Sequence, residues 1–137
     1  MTRAPSVFSP RRRSDVQIVF ADDDPGMRSL VVMNLEAEGF AVTTADDGNA
    51  ALDEVERLHP DLVVLDVMMP GRDGLQVLQE LRSRPSIAGI PVVLLTAKAT
   101  DADVWEGWKA GADYYMTKPF KPEELVQFAH SILGHEL

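Results

Sequence analysis

The sequence predicts an α/β protein built on one doubly wound, five-stranded parallel sheet with helices on both faces. Five short apolar runs alternate with five longer segments of helical periodicity, which is the pattern of repeated β-α units. The connections between them are short. Polar residues stand where the strands should end, at the edge of such a sheet where ligands bind.

The strands are predicted from short runs rich in β-branched and other apolar residues. Their predicted bounds are Val16–Phe20, Phe40–Thr44, Leu62–Leu65, Val92–Leu95 and Tyr114–Thr117. The third run is apolar throughout, as expected of a strand buried on both faces, and the second is the weaker pattern.

The helices are predicted from apolar residues at helical spacing. In chain order their apolar faces are Met27, Leu30, Val31 and Leu35; Ala51, Val55 and Leu58; Val77, Leu78 and Leu81; Val104, Trp105 and Trp108; and Leu125, Phe128, Ala129 and Ile132. Gly39 and Gly111 are suited to end the first and fourth helices, and Pro122 to begin the fifth.

The composition is that of a globular protein. The chain has 137 residues, enough to bury the core of one domain, with 45% hydrophobic and 26% charged residues. It has no cysteine, which excludes disulfides, thiolate chemistry and cysteine zinc sites. No apolar run is long enough to span a bilayer, and no signal-peptide pattern is present. We therefore expect a cytoplasmic protein without membrane contact.

The charge is distributed unevenly. Of the 13 basic and 22 acidic residues, four arginines and no acid fall within residues 1–14. Residues 15–137 thus carry 9 basic and 22 acidic side chains, a net charge of −13. We expect a basic, disordered leader at 1–14 and one domain at 15–137. A domain this acidic is not expected to bind nucleic acid directly.

Charged residues lie at or just after three predicted strands. Asp22 and Asp23 follow the first strand, Asp66 follows the third and Lys118 follows the last. A carboxylate directly after a buried strand is costly unless a cation or hydrogen bonds stabilise its charge. Because the ends of parallel strands meet at one edge, the sequence predicts a phosphate-and-metal site there.

Five sequence blocks, in order, resemble the receiver domain of two-component response regulators. They are Ala21-Asp22-Asp23-Asp24-Pro25, the run from Leu65 to Gly74, Leu94-Leu95-Thr96-Ala97, the run from Ala110 to Tyr115, and Thr117-Lys118-Pro119-Phe120. The resemblance extends from Asp15 to Leu133 and implies the flavodoxin-like (βα)5 fold with strand order 2-1-3-4-5.

The resemblance assigns a role to each polar residue of the site. Asp66 is implied to be the phosphoacceptor and a ligand of Mg²⁺, for which Mn²⁺ could substitute. Asp23 matches the direct metal ligand, Asp22 its partner through water, and the Met68 backbone carbonyl the remaining protein ligand. Lys118, whose bond to Pro119 is typically cis in the family, supplies a point charge to the phosphoryl group.

Further residues match the family's signalling face. Thr96 would hydrogen-bond the phosphoryl group, and Tyr115 would then rotate inward and reshape the face of the fourth helix, fifth strand and fifth helix. Trp105 and Trp108 share one side of the fourth helix. We expect at least one of them to pack into the core; the other, where exposed, would form a partner face. Tyr114 is expected on the opposite sheet face.

Structural explanations compete with these roles. Asp22 and Asp23 could be acids favoured by a helix N-terminus, although Asp24 suits that position better and is excluded from the metal site. Thr96 could be a strand-end threonine and Tyr115 a half-buried strand aromatic, and spacing alone excludes neither. A lone lysine is most often solvated, but the position of Lys118 before Pro119 and after a buried strand favours the functional role.

The sequence therefore favours a phosphoacceptor switch that takes a phosphoryl group from a sensor histidine kinase or phosphotransfer protein and signals to a protein target. It would catalyse only its own phosphorylation and slow dephosphorylation, and phosphorylation could drive a homodimer. The alternative is a receiver from a longer regulator with a DNA-binding or enzymatic output domain. An aspartate-nucleophile phosphatase is disfavoured because Met68 stands where a second aspartate is required. A flavin binder is disfavoured by the three acids after the first strand.

Overall fold

A computed structural model describes residues 16–97 and 107–134 of the chain. The strands are Gln17–Ala21 (β1), Ala41–Ala45 (β2), Leu62–Asp66 (β3), Val92–Thr96 (β4) and Tyr114–Thr117 (β5). The helices are Pro25–Ala37 (α1), Gly48–Leu58 (α2), Gly74–Ser83 (α3) and Pro122–Leu133 (α5), with residues 107–110 as the described part of α4.

All four strand pairings are parallel, and the order is β2-β1-β3-β4-β5, which confirms the predicted topology. The chain passes from β1 outward to β2 and then returns to β3 on the other side of β1. This reversal is the topological switch point, where parallel sheets open a crevice at the carboxyl ends of the strands. In register, Ala21 lies opposite Leu65, so Asp22 and Asp66 follow a matched pair at that crevice.

Two separate hydrophobic clusters cover the two faces of the sheet. Alternate strand residues such as Val63 and Leu65 pack with α2 and α3, whereas Leu62 and Val64 pack with α1 and α5. The central strands β3 and β4 are buried along their whole length. The doubly wound architecture is therefore confirmed, and the core holds the strand ends rigidly in place.

The helix starts follow the expected chemistry. Asp24 begins α1, where its Oδ1 accepts a hydrogen bond of 2.9 Å from the amide of Gly26, and Pro25 follows it. This confirms that Asp24 caps the N-terminus of α1. One feature of α1 differs from the prediction: Leu30, expected on the buried face, is 41% exposed, and Val31 and Leu35 are the residues that reach the core.

Arg82 lies at the end of α3, at the edge of the sheet where the strands begin. It connects α3 to the loops before β4 and β5. Its guanidinium donates to the carbonyl oxygens of Ala88, Ile90 and Gly111 at 2.6–3.0 Å. It also pairs with Asp113 at 2.8 Å, and the same carboxylate oxygen accepts from the amide of Val92. Arg82 thus ties the loops that lead into β4 and β5.

Candidate phosphoacceptor and metal site

The polar residues of the site are placed by the ends of β1, β3, β4 and β5. Asp22 follows β1 and its amide donates to the carbonyl of Ala45 at 3.1 Å. Asp66 and Thr96 are the last residues of β3 and β4, so these strands run one residue further than predicted. The amide of Lys118 donates to the carbonyl of Thr96 at 2.7 Å, which fixes the end of β5 beside β4.

Three carboxylates meet at this edge. One oxygen from each of Asp22, Asp23 and Asp66 lies within 4.8 Å of the others. Asp22 is fully buried and Asp66 is 4% exposed, whereas Asp23 faces solvent. Hard carboxylate oxygens at this spacing, with one side open to water, suit Mg²⁺, which binds through a few protein oxygens and keeps several waters. The donor set therefore fits the ion that the resemblance implies.

Lys118 lies between the two buried carboxylates. Its Nζ donates to Asp22 Oδ2 at 2.8 Å and to Asp66 Oδ2 at 2.7 Å. Desolvation lowers the pKa of Lys118, but the hydrogen bonds to the two carboxylates outweigh it, and the pKa is raised above its ordinary value. Lys118 is therefore charged at neutral pH and neutralises part of the acidic cluster. Its peptide bond to Pro119 is cis, as the resemblance implies.

The carboxyl group of Asp66 has a raised pKa. Burial is the largest cause, the hydrogen bond from Lys118 opposes it, and the nearby charge of Asp22 raises the pKa further. Desolvation therefore contributes more to the raised pKa of Asp66 than repulsion from the neighbouring carboxylate does. Asp66 is thus a carboxylate whose charge is costly without an additional cation.

The loop after Asp66 faces the same carboxylate. The amide of Met68 donates to Asp66 Oδ1 at 3.2 Å, and the Met68 side chain is 71% exposed beside the site. This places the Met68 backbone next to the Asp66 carboxylate. Its carbonyl as a metal ligand stays a prediction.

Arg28 is a residue that the sequence patterns did not single out. Its Nη1 donates to the backbone carbonyl of Asp22 at 2.8 Å, from one turn into α1. The Oδ1 atom of Asp22 accepts from the amide of Asp24 at 3.0 Å. Together these bonds hold the turn that carries the acids. A lone arginine on a helix gives no sequence signal of such a contact, since the acceptor is a backbone atom.

The residues predicted to transmit the signal lie on and beside β5. Thr96 is 6% exposed at the end of β4, and the Tyr115 ring packs against Trp108 with centroids 5.9 Å apart. Tyr114 points to the other sheet face and contacts Phe128, also at 5.9 Å, as predicted. Trp108 is 47% exposed. Trp105 lies outside the described residues, as does the leader at residues 1–14.

Comparisons with known proteins agree with this geometry. Residues 18–130 match the family described as the response regulator receiver domain. The chain is 46% identical over 110 residues to the DNA-binding response regulator MtrA of Mycolicibacterium smegmatis, covering 80% of this chain and 47% of that protein. The chain spans about half the length of such curated relatives.

Solved structures show the same likeness. The chemotaxis protein CheY4 of Vibrio cholerae superposes with a TM-score of 0.82 at 29% identity, covering 86% of this chain and 98% of CheY4. The receiver domain of the Francisella response regulator 1452 gives a TM-score of 0.81 at 33% identity, covering 87% and 97%. The fold and these matches define a phosphorelay signalling domain of the α/β class. The chain belongs to the response-regulator receiver domain family of two-component systems.

Within the described residues, no helix is long and apolar enough to cross a membrane.

Proposed function

We propose that this domain is a Mg²⁺-dependent phosphoacceptor whose acceptor residue is Asp66. The observation that carries the proposal is the contact of Lys118 Nζ with both Asp66 and Asp22, in a cluster whose third carboxylate is Asp23. A partly exposed lysine between two buried carboxylates supplies a fixed positive charge where a phosphoryl group would arrive. The third carboxylate, Asp23, faces solvent on the side from which an ion would enter.

The reaction requires little chemistry from the protein beyond positioning and charge. A carboxylate oxygen of Asp66 attacks the phosphorus of a phosphohistidine, the phosphorus–nitrogen bond breaks, and the histidine side chain leaves with its electron pair. The product is an acyl phosphate on Asp66. Mg²⁺, when bound, would join the incoming phosphate to the acidic cluster. Asp23 and Asp66 would hold it directly, together with the Met68 carbonyl, and Asp22 through water.

Lys118 and Thr96 would respond to the transferred group. A phosphoryl group brings about −1.5 to −2 charge at neutral pH and strong acceptor oxygens. Lys118 would exchange part of its present bonding to Asp22 and Asp66 for those oxygens, and Thr96 would donate its hydroxyl. Tyr115 would follow Thr96 inward. Because its ring contacts Trp108, this movement would change the surface that Trp108 exposes.

The partners follow from the same chemistry. The phosphoryl donor would be a sensor histidine kinase or a phosphotransfer protein in the cytoplasm, and the signal would pass to a protein target or to a second copy of the domain. The name of the MtrA relative includes DNA binding. We propose that any DNA binding of the complete regulator belongs to a separate output unit, because this acidic domain repels nucleic acid.

Incorporation of phosphate from acetyl phosphate tests the proposal. We expect Mg²⁺-dependent phosphorylation of the wild type, loss of it in Asp66→Asn, and wild-type yield in Asp73→Asn. Asp73 is the matched control because it caps α3 outside the acidic cluster, and asparagine retains the cap. Wild-type yield in Asp66→Asn would show that the acceptor is another residue. Hydrolysis of a stable phosphate monoester, which is not a phosphoryl donor to an acceptor aspartate, would favour a phosphatase instead.

A further inference from the structure

The loop of residues 67–73, named the Met68 loop, connects Asp66 to α3. Its first residue is held by the sheet: the amide of Val67 donates to the carbonyl of Leu95 at 2.9 Å. Its end is held by α3, because the amide of Gly74 donates to the carbonyl of Val67 at 2.9 Å. A third bond comes from α2, where the amide of Gly48 donates to the carbonyl of Pro70 at 3.3 Å.

Gly48 makes this third contact because it has no side chain. A methyl group at position 48 would overlap the carbonyl oxygen of Arg72 and lie 2.6 Å from its carbonyl carbon. Both obstacles are backbone atoms, which cannot rotate away as the end of a flexible side chain can. Gly48 does not have a positive φ, so the constraint is one of space. The side chain of Asn49, the next residue of α2, lies next to Gly71 of the same loop.

The Met68 loop has little freedom to absorb a displacement. Met69 is 8% exposed and packs in the same core cluster as Ala51 of α2. Gly74 lies so close to β3 that a methyl group there would overlap the carbonyl oxygen of Asp66. A push on Arg72 or Pro70 is therefore transmitted along the backbone toward Met68.

From this packing we infer that Gly48 is a positioning residue for the Met68 backbone. By allowing α2 to begin directly against the Met68 loop, it sets the position of the Met68 amide, which donates to Asp66 Oδ1. Gly48 sets the position of the Met68 carbonyl in the same way. The role of that carbonyl toward Mg²⁺ rests on the proposed function, whereas the position of the amide does not.

The test compares Gly48→Ala with Gly89→Ala. Gly89 is a matched control because a methyl group there meets nothing within 4 Å and its φ is not positive. In the metal-free proteins, NMR should show a shifted Met68 amide with faster hydrogen exchange in Gly48→Ala and no change in Gly89→Ala. A titration should show Mg²⁺ affinity reduced about 10-fold, as for other residues that orient metal ligands. Saturating Mg²⁺ should restore the phosphorylation rate.

The outcomes separate this inference from the proposed function. Wild-type Mg²⁺ affinity and an unshifted Met68 amide in folded Gly48→Ala would overturn the positioning role. A wild type that binds no Mg²⁺ would overturn the proposed function, while the amide comparison still decides the role of Gly48. If Gly48→Ala does not fold, Gly71→Ala provides the test, because its φ of 74° strains any residue other than glycine and its methyl group would lie 3.1 Å from Asn49, so the variant displaces the Met68 loop itself. It should shift the Met68 amide and weaken Mg²⁺ binding, and no change in either would overturn the inference.

Discussion

Replacing Lys118 with methionine removes the cation from two buried carboxylates while retaining an unbranched apolar stem. Asp22 and Asp66 each lose a charge-assisted hydrogen bond of 2.7–2.8 Å, a type of bond worth about 1.5–3 kcal/mol. Removing one partner from a buried ion pair costs about 3–5 kcal/mol in general. We therefore expect Lys118→Met to lower the free energy of unfolding at pH 7 by about 3–5 kcal/mol.

The loss should depend on pH in a defined direction. Without Lys118 the pKa of Asp66, already raised by burial, moves further up. The folded variant then binds a proton that the unfolded chain releases above the ordinary pKa of 3.8. Its stability therefore falls as pH rises from 3.8 through the raised pKa of Asp66, and the deficit relative to wild type shrinks as pH is lowered toward 3.8. In wild type, the raised pKa of Lys118 gives stability that is fully present below 10.5 and is lost as pH rises further.

Urea unfolding at a series of pH values measures these effects, with and without Mg²⁺. Lys121→Met is the control, because Lys121 is exposed and its side chain makes no capping bond. Mg²⁺ should recover part of the lost stability in Lys118→Met, since the ion neutralises the same carboxylates. A variant as stable as wild type at pH 7, or one whose deficit does not shrink as pH is lowered from 7 toward 3.8, would refute the electrostatic account of the site.

Three further predictions concern other parts of the molecule. Arg82→Ala should lower the free energy of unfolding by about 2–4 kcal/mol, since it leaves several partly buried carbonyls unpaired; urea unfolding checks this against Arg57→Ala, and equal losses in the two variants would contradict it. His59→Gly should raise the free energy of unfolding by about 0.5–1 kcal/mol, because His59 ends α2 at φ 47 and glycine removes that strain. A thermal midpoint at or below that of wild type would count against this. Thr96→Ala should keep phosphorylation but reduce the fluorescence response of Trp108, whereas deletion of residues 1–14 should preserve both; the reverse result would exclude the Thr96–Tyr115 route.

The fold was predictable because each local pattern agrees with it. The apolar runs around Val64 and Leu94 predict buried parallel strands, and Asp24-Pro25 predicts the start of α1. The strand ends were less predictable: β3 and β4 include Asp66 and Thr96, because a parallel ladder pairs backbone groups whatever the side chain. The order of the strands came from the resemblance, since alternation alone does not fix it.

The contacts around the site were less visible in the sequence. Asp22, Asp66 and Lys118 could be brought together because each lies at or just after a strand end. Arg28, Arg82 and Gly48 could not, since each acts on a backbone carbonyl of another segment. Every residue has a backbone carbonyl, so no residue type in the sequence marks such an acceptor. Leu30 was predicted to be buried because it is apolar and lies at helical spacing. In the fold it is 41% exposed.

The proposed function depends above all on Asp66 as the residue that carries the phosphoryl group. An aspartyl phosphate is reduced by borohydride to homoserine, which peptide mass spectrometry locates by residue. After reaction with a phosphohistidine donor and Mg²⁺, the account predicts homoserine at position 66, its absence when Mg²⁺ is chelated, and unmodified Asp22 and Asp23. Homoserine at position 22 or 23 with Asp66 intact would contradict the account.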